Sequence, residues 1–191
     1  MGKKYVAGIT EKRLRNRRFR RTEDAILRVF FEKNVYIGAK EMAMKVGVAR
    51  STFYHHHKTV EQIMPDYKRY ILRKYTRMAN GAIKRNGCEI GVIYWKTLIF
   101  IMQNQVVFEM FLRCGDENVV REMIMKIEVD MMRKMRLSRG MRRVFMIYVG
   151  EVVELINEWC RDGFNEKEIG KLLDGIVYLT NTAKKRLGPI V

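Results

Sequence analysis

The chain has 191 residues, of which 48% are apolar and 31% charged, a balance that excludes a disordered or fibrous protein and gives one or two globular domains. Lys and Arg number 38 against 21 Asp and Glu, so the formal net charge is +17 and points to a polyanionic partner. The longest apolar run, Gly91 to Met102, is broken by Lys96 and falls short of the ~18 residues of a membrane span; no apolar segment of a secretory signal follows the basic start, and three scattered cysteines (Cys88, Cys114, Cys160) suit a reducing cytoplasm.

Residues 1–21 hold nine basic side chains, among them Arg17, Arg18, Arg20 and Arg21, against the single acid Glu11. Mutual repulsion and little apolar surface predict a flexible basic arm over 1–20, suited to lie along phosphates or in a minor groove. A merely solubilising tail is the plainer alternative. Thr22 then reads as an N-cap with Glu23 and Asp24 in the first turn. Ile26, Leu27, Val29, Phe30 and Phe31 follow at helical spacing and predict a helix over 23–33. Gly38 and Gly47 bound a short helix from Ala39 to Val46, and another runs from Arg50 to His56. Thr59 and Gln62 form a capping box for a fourth helix reaching Asn80, inside which Pro65 forces a kink or a later start.

Beyond Glu89 the pattern is one of long amphipathic helices at 91–103, 106–114, 119–137, 141–161 and 166–187. Asn165 caps the last, and Arg139-Gly140 and Asp162-Gly163 read as turns. The expected fold is all-α: an N-terminal three-helix, helix-turn-helix DNA-binding domain over 21–66, then an α-helical ligand-binding and dimerisation domain over 67–191.

Chemistry concentrates between Ile37 and Met64. Ala43 permits two helices to cross closely, Gly47 makes a tight turn four residues on, and Val48 and Phe53 plug a small core. Lys40, Arg50, Ser51, Thr52, Tyr54 and His55 are left outward, with His56 and Lys58 beside them, donors and acceptors of the size that reaches base edges and phosphates. Arg50 and Thr52 suit base reading; Tyr54 and Lys58 suit phosphates. Three consecutive histidines, His55 to His57, point in directions about 100° apart on a regular helix, so they do not converge on one metal ion. His57 is expected in the small core, where burial opposes protonation and would weaken DNA binding below pH ~6.

With Met42-Ala43, Gly47-Val48, Thr52-Phe53-Tyr54, His56, Lys58 and Glu61 in register, residues 22–64 resemble the DNA-binding domain of the TetR family of bacterial transcriptional regulators. A weaker likeness covers 145–180 through Gly150, Ile156, Trp159, Gly163, Ile169 and Leu173. The chain departs from that pattern at Gly38, Ala39 and Ala49, where Thr or Ser usually caps, at Val60, often a Lys, and at His57, usually a buried Phe. The resemblance implies a homodimer joined by its last two helices, through Val149, Val152, Val153 and Ile156 on one and Ile169, Leu172, Leu173 and Ile176 on the other. These stripes would otherwise bury into their own subunit.

Between the two, Tyr94, Trp95, Phe100, Phe111, Met123 and Met131 are adaptable side chains that could line a pocket for a small apolar ligand, or simply fill a core. Glu109 and Glu151 lie among apolar neighbours and suit either a cationic ligand or an Arg. No phosphate-binding Gly loop, nucleophile elbow or His-Glu metal motif is present, so no enzyme and no cofactor is expected. The function expected is a cytoplasmic, nucleoid-associated transcriptional repressor that binds double-stranded DNA at a palindromic operator and leaves it on binding a ligand. The alternative is an architectural or replicon-associated DNA-binding protein without an inducer. Peripheral membrane binding by the arm is a third and weaker reading.

Overall fold

The computed structural model describes residues 9–32, 37–86, 89–134 and 139–187, and among them the chain is all-α. It divides into two compact units, 1–71 and 72–191.

The first unit contains α1 (Glu11–Leu14), α2 (Arg17–Glu32), α3 (Ala39–Val46), α4 (Arg50–His56) and the start of α5 (Ile63–Asn86). Here α2 begins six residues before the predicted start. The Asn16 side-chain oxygen accepts from the backbone N–H of Arg18 at 3.0 Å and of Phe19 at 3.2 Å, so Asn16 is the cap. Thr22 lies inside the helix and donates its hydroxyl to the carbonyl of Arg18. Residues 11–14 and 17–20, read from sequence as a flexible arm, are therefore helical; residues 1–8 lie outside the described residues. Ile9, 1% exposed, and the half-buried Phe19 supply apolar surface that the charge-based reading discounted.

Helices α3 and α4 have the bounds expected. Gly47 sits at φ 73°, its N–H bonded to the carbonyl of Met44 at 3.1 Å, while Val48 donates to Ala43 at 3.0 Å. A Cβ on Gly47 would meet nothing within 4 Å, so only the left-handed backbone disfavours another residue. Gly47→Ala is accordingly expected to destabilise the first unit by about 1–2 kcal/mol, read as a lower midpoint in urea.

The Thr59–Gln62 stretch is a turn rather than the opening of a helix, with Ile63 donating to Val60 at 3.1 Å. Pro65 thus occupies the first turn of α5, where its missing N–H is not needed, and α5 passes through Gly81 to Asn86. Ile26, Phe30, Met42, Phe53, Ile63 and Ile71 form the buried centre of this unit, each at most 2% exposed.

The second unit holds the rest of α5, then α6 (Ile90–Gln103), α7 (Gln105–Arg113), α8 (Asn118–Lys134), α9 (Arg139–Arg161), a 3-10 turn (Glu166–Glu168) and α10 (Ile169–Leu187). Arg139-Gly140 opens α9 instead of making a turn. Gly163 at φ 88° and Phe164 at φ 59° do turn the chain after α9; Phe164 donates to the Trp159 carbonyl and sets its ring edge-on to Trp159 at 5.7 Å.

The proposed dimer stripes are corrected by this packing. Val149, Val152, Val153, Ile156, Ile169 and Ile176 are each at most 3% exposed within one protomer, because α9 packs on α8 and α10. Leu172 and Leu173 are only half-buried. Among the described residues, the large apolar side chains left outward on these helices are Val144, Ile147 and Tyr178, at 40%, 68% and 71% exposure.

Of the pocket residues, Tyr94, Phe100, Phe111 and Met123 are buried, whereas Trp95 is 45% exposed and lies on the surface. The side chain of Met131 lies outside the described residues. Tyr94 donates to Glu128 at 2.6 Å, so the buried carboxylate is Glu128. Glu109 accepts from Gln105 and Glu151 is exposed.

Candidate nucleic-acid interface

The short helix α4 buries Phe53 and His56 and turns Arg50, Ser51, Tyr54 and His55 outward, with Thr52 at the boundary. Lys58 is exposed just past its end, and Lys40 is exposed on α3. Arg17, Arg18, Arg20 and Arg21 stand exposed on the first turns of α2. All these candidates fall within the first unit.

Arg50 and Tyr54, one helical turn apart, are not independent. The Arg50 guanidinium donates to the Tyr54 hydroxyl from Nε at 3.2 Å and from Nη2 at 2.9 Å, and its carbon lies 5.4 Å from the ring centroid. Tyr54 therefore holds the guanidinium against its own ring by hydrogen bonding and cation–π attraction. The Tyr54 hydroxyl thus accepts from Arg50 and keeps its own hydrogen to donate.

On the other side of α4, Ser51, Thr52 and His55 face Arg18, Phe19 and Thr22 of α2 across a groove of about 430 Å³. This groove joins the start of α2 to α4.

His56 is corrected from a DNA contact to an internal strut. It is 3% exposed, its Nδ1 lies 2.5 Å from Oε1 of Glu23, and its ring stacks on Phe19 with centroids 4.0 Å apart. His57 is fully buried; its Nδ1 meets Oδ2 of Asp66 at 2.9 Å and its Nε2 meets Oε2 of Glu23 at 3.2 Å. Tyr67 donates to Oε2 of Glu23 at 2.8 Å, and Arg69 pairs with Asp66. Glu23 on α2 and Asp66 on α5 thus grip both ends of the His57 ring at the C-terminal end of α4.

The electrostatics follow from these contacts. Burial works against a charged His57, but the hydrogen bonds to Asp66 and Glu23 outweigh it and raise its pKa to about 9. Burial likewise works against ionisation of Glu23, but the hydrogen bonds from His56 and His57 prevail and hold it down at about 2. The buried His57 therefore favours protonation rather than resisting it, the reverse of the expectation from burial alone.

Sequence reading missed Glu23, Asp66 and Tyr67. Glu23 did leave a signal: it stands in helical register with Ile26, Leu27 and Phe30, so a carboxylate occupies the inward stripe of α2 and requires a partner. Nothing local pairs it with histidines more than thirty residues away. No family model, no curated protein and no solved structure matches the chain.

Proposed function

We propose that the chain is a sequence-specific DNA-binding transcriptional regulator, a repressor built on a helix-turn-helix of α3 and α4 and related to the TetR family. The observation that carries the reading is the outward face of α4, where a pre-oriented Arg50, Ser51, Thr52 and His55 project beside an arginine-rich α2. Arg can bridge guanine O6 and N7 with two bonds, and hydroxyls of this size reach base edges. The net charge of +17 supplies the sequence-independent attraction to phosphates. Selection of genomic DNA fragments with the purified chain tests the proposal. A repressor enriches a palindromic site bound ~10³-fold or more above random DNA at physiological salt. Uniform recovery of all fragments would favour an architectural role, for which the +8 charge of residues 1–21 is the supporting observation.

Tyr54 acts in this scheme by positioning Arg50. Arg50→Ala is expected to weaken the selected site by ~1–3 kcal/mol and relax preference at one base pair per half-site. Tyr54→Phe removes the acceptor and should relax preference at that same base pair, while lowering affinity for random DNA little. Affinities over a panel of single-base operator variants decide it; an unchanged ranking for Tyr54→Phe would return the hydroxyl to phosphate contact.

Two-fold pairing on a palindrome is proposed through the apolar side chains that α9 and α10 leave outward, Val144, Ile147 and Tyr178, with the half-buried Leu172 and Leu173. Ile147→Glu puts a charge on a side chain already 68% exposed, so the protomer should keep its fold. The dimer should dissociate at least about tenfold more readily in sedimentation equilibrium. A small apolar effector would act in the second unit, among Tyr94, Phe100, Phe111 and Met123.

A further inference from the structure

The geometry points to the groove between the start of α2 and α4 as the seat of one phosphodiester of the DNA backbone, held by Arg18 from one wall and Ser51 and His55 from the other. This rests on the DNA-binding reading above and specifies where a strand is gripped. Three features of the groove select the occupant.

Its walls carry a cation and hydroxyls, Arg18 on α2 and Ser51 and Thr52 on α4; Thr22 lines it too but gives its hydrogen to the Arg18 carbonyl. That is the donor set of a phosphate contact. Its aromatic floor is already covered. Phe19 stacks on His56 at 4.0 Å, and the Arg13 guanidinium carbon lies 5.8 Å from the Phe19 centroid, so the ring is flanked by other groups and suits no stacked nucleobase. The backbone N–H groups of Arg18 and Phe19 are bonded to the Asn16 side chain. Those two N–H groups are therefore closed to an anion in the groove, which Arg18 and the hydroxyls would hold.

Ser51, Thr52 and His55, which line the groove, lie on the same short helix as Arg50. A strand seated there would fix the height and rotation of α4, and Arg50 would then meet the base edges from a set position. Of the four exposed arginines on the first turns of α2, Arg18 lines the groove and Arg17, Arg20 and Arg21 are not among its lining residues. This inequality separates a built contact from diffuse attraction by a basic segment.

The test measures the affinity of the full chain for a random-sequence duplex as a function of salt, using wild type, Arg18→Ala, Arg18→Lys, Arg17→Ala, Ser51→Ala and, as a control in the second unit, Arg121→Ala. The sites are exposed, and unchanged melting curves verify that each variant folds. Arg18→Ala should weaken binding about tenfold and reduce the slope of log K against log salt by about 0.9, the release of one counterion. Arg18→Lys should retain the slope. Ser51→Ala should weaken binding severalfold with the slope unchanged, because it removes a donor and no charge. Arg17→Ala should change the slope by less than half as much as Arg18→Ala, and Arg121→Ala should change nothing. Equal effects of Arg17→Ala and Arg18→Ala, or a Ser51→Ala variant that binds as wild type does, would overturn the groove as a phosphate seat while leaving DNA binding intact. A wild-type chain without salt-dependent affinity for the duplex would overturn the DNA-binding reading itself.

Discussion

Glu23→Ala is expected to destabilise the first unit by about 3–5 kcal/mol, enough to leave most of α2, α3 and α4 unfolded and to abolish the proposed DNA binding. Glu23 is 1% exposed and serves three partners at once, His56, His57 and Tyr67. A buried ion pair adds little over a well-packed apolar pair, but removing one member leaves the others desolvated and without compensation. Peptide-resolved amide hydrogen exchange on the full chain provides the measurement. Protection should collapse over residues 17–71 while persisting in α6 to α10. Glu23→Leu with His57→Phe should recover only part of the loss: Asp66 keeps Arg69 as its partner, but the buried His56 and Tyr67 still lose the carboxylate they bond. If Glu23→Ala melts within about 0.5 kcal/mol of wild type, the network is not what secures α4.

The second large effect is on pH dependence. The His57 pKa is raised from 6.5 to about 9, so the stability it brings is fully present below pH 6.5 and disappears as pH rises through 9. Glu23 is lowered from 4.5 to about 2, so its stability is present above pH 4.5 and disappears as pH falls through 2. Both shifts describe one set of hydrogen bonds and are counted once. The first unit should be most stable between pH 4.5 and 6.5 and lose on the order of 3 kcal/mol by pH 9. Acidification from pH 7.5 to 5.5 should hold or strengthen the proposed DNA binding, opposite in sign to what a neutral core histidine would give. Urea midpoints across pH 5–9 follow the change, and His57→Phe should flatten the alkaline limb. An alkaline limb of equal steepness in His57→Phe would assign the titration to another group.

Much of the secondary structure was legible because it is local. Helical periodicity, two prolines among 191 residues and glycines at 38 and 47 suffice to predict an all-helical chain and to bound α3 and α4. The exposed set on α4 was readable except at His56, which was placed beside the outward residues and is buried against Glu23 and Phe19. The start of α2 was misplaced because charge density suggested an arm, while the Asn16 cap and the Phe19–His56 stack favour helix. The stripes on α9 and α10 were visible as apolar faces, but an apolar face does not say what covers it. In the fold α8 and α10 cover α9, and surface residues such as Ile147 become the outward set.

By itself, then, the sequence determined what depends on neighbours along the chain: the helical type, the left-handed turn at Gly47, and the outward placing of Arg50, Ser51, Tyr54 and His55 on α4. The tertiary structure alone decided the ionic character of the core. Glu23, His56, His57 and Asp66 come from three helices, and His57 lies 34 residues from Glu23 and 9 from Asp66. Whether a buried imidazole is neutral or charged depends on the hydrogen bonds its two nitrogens find against the desolvation they oppose. Those bonds exist only once α2, α4 and α5 have packed together.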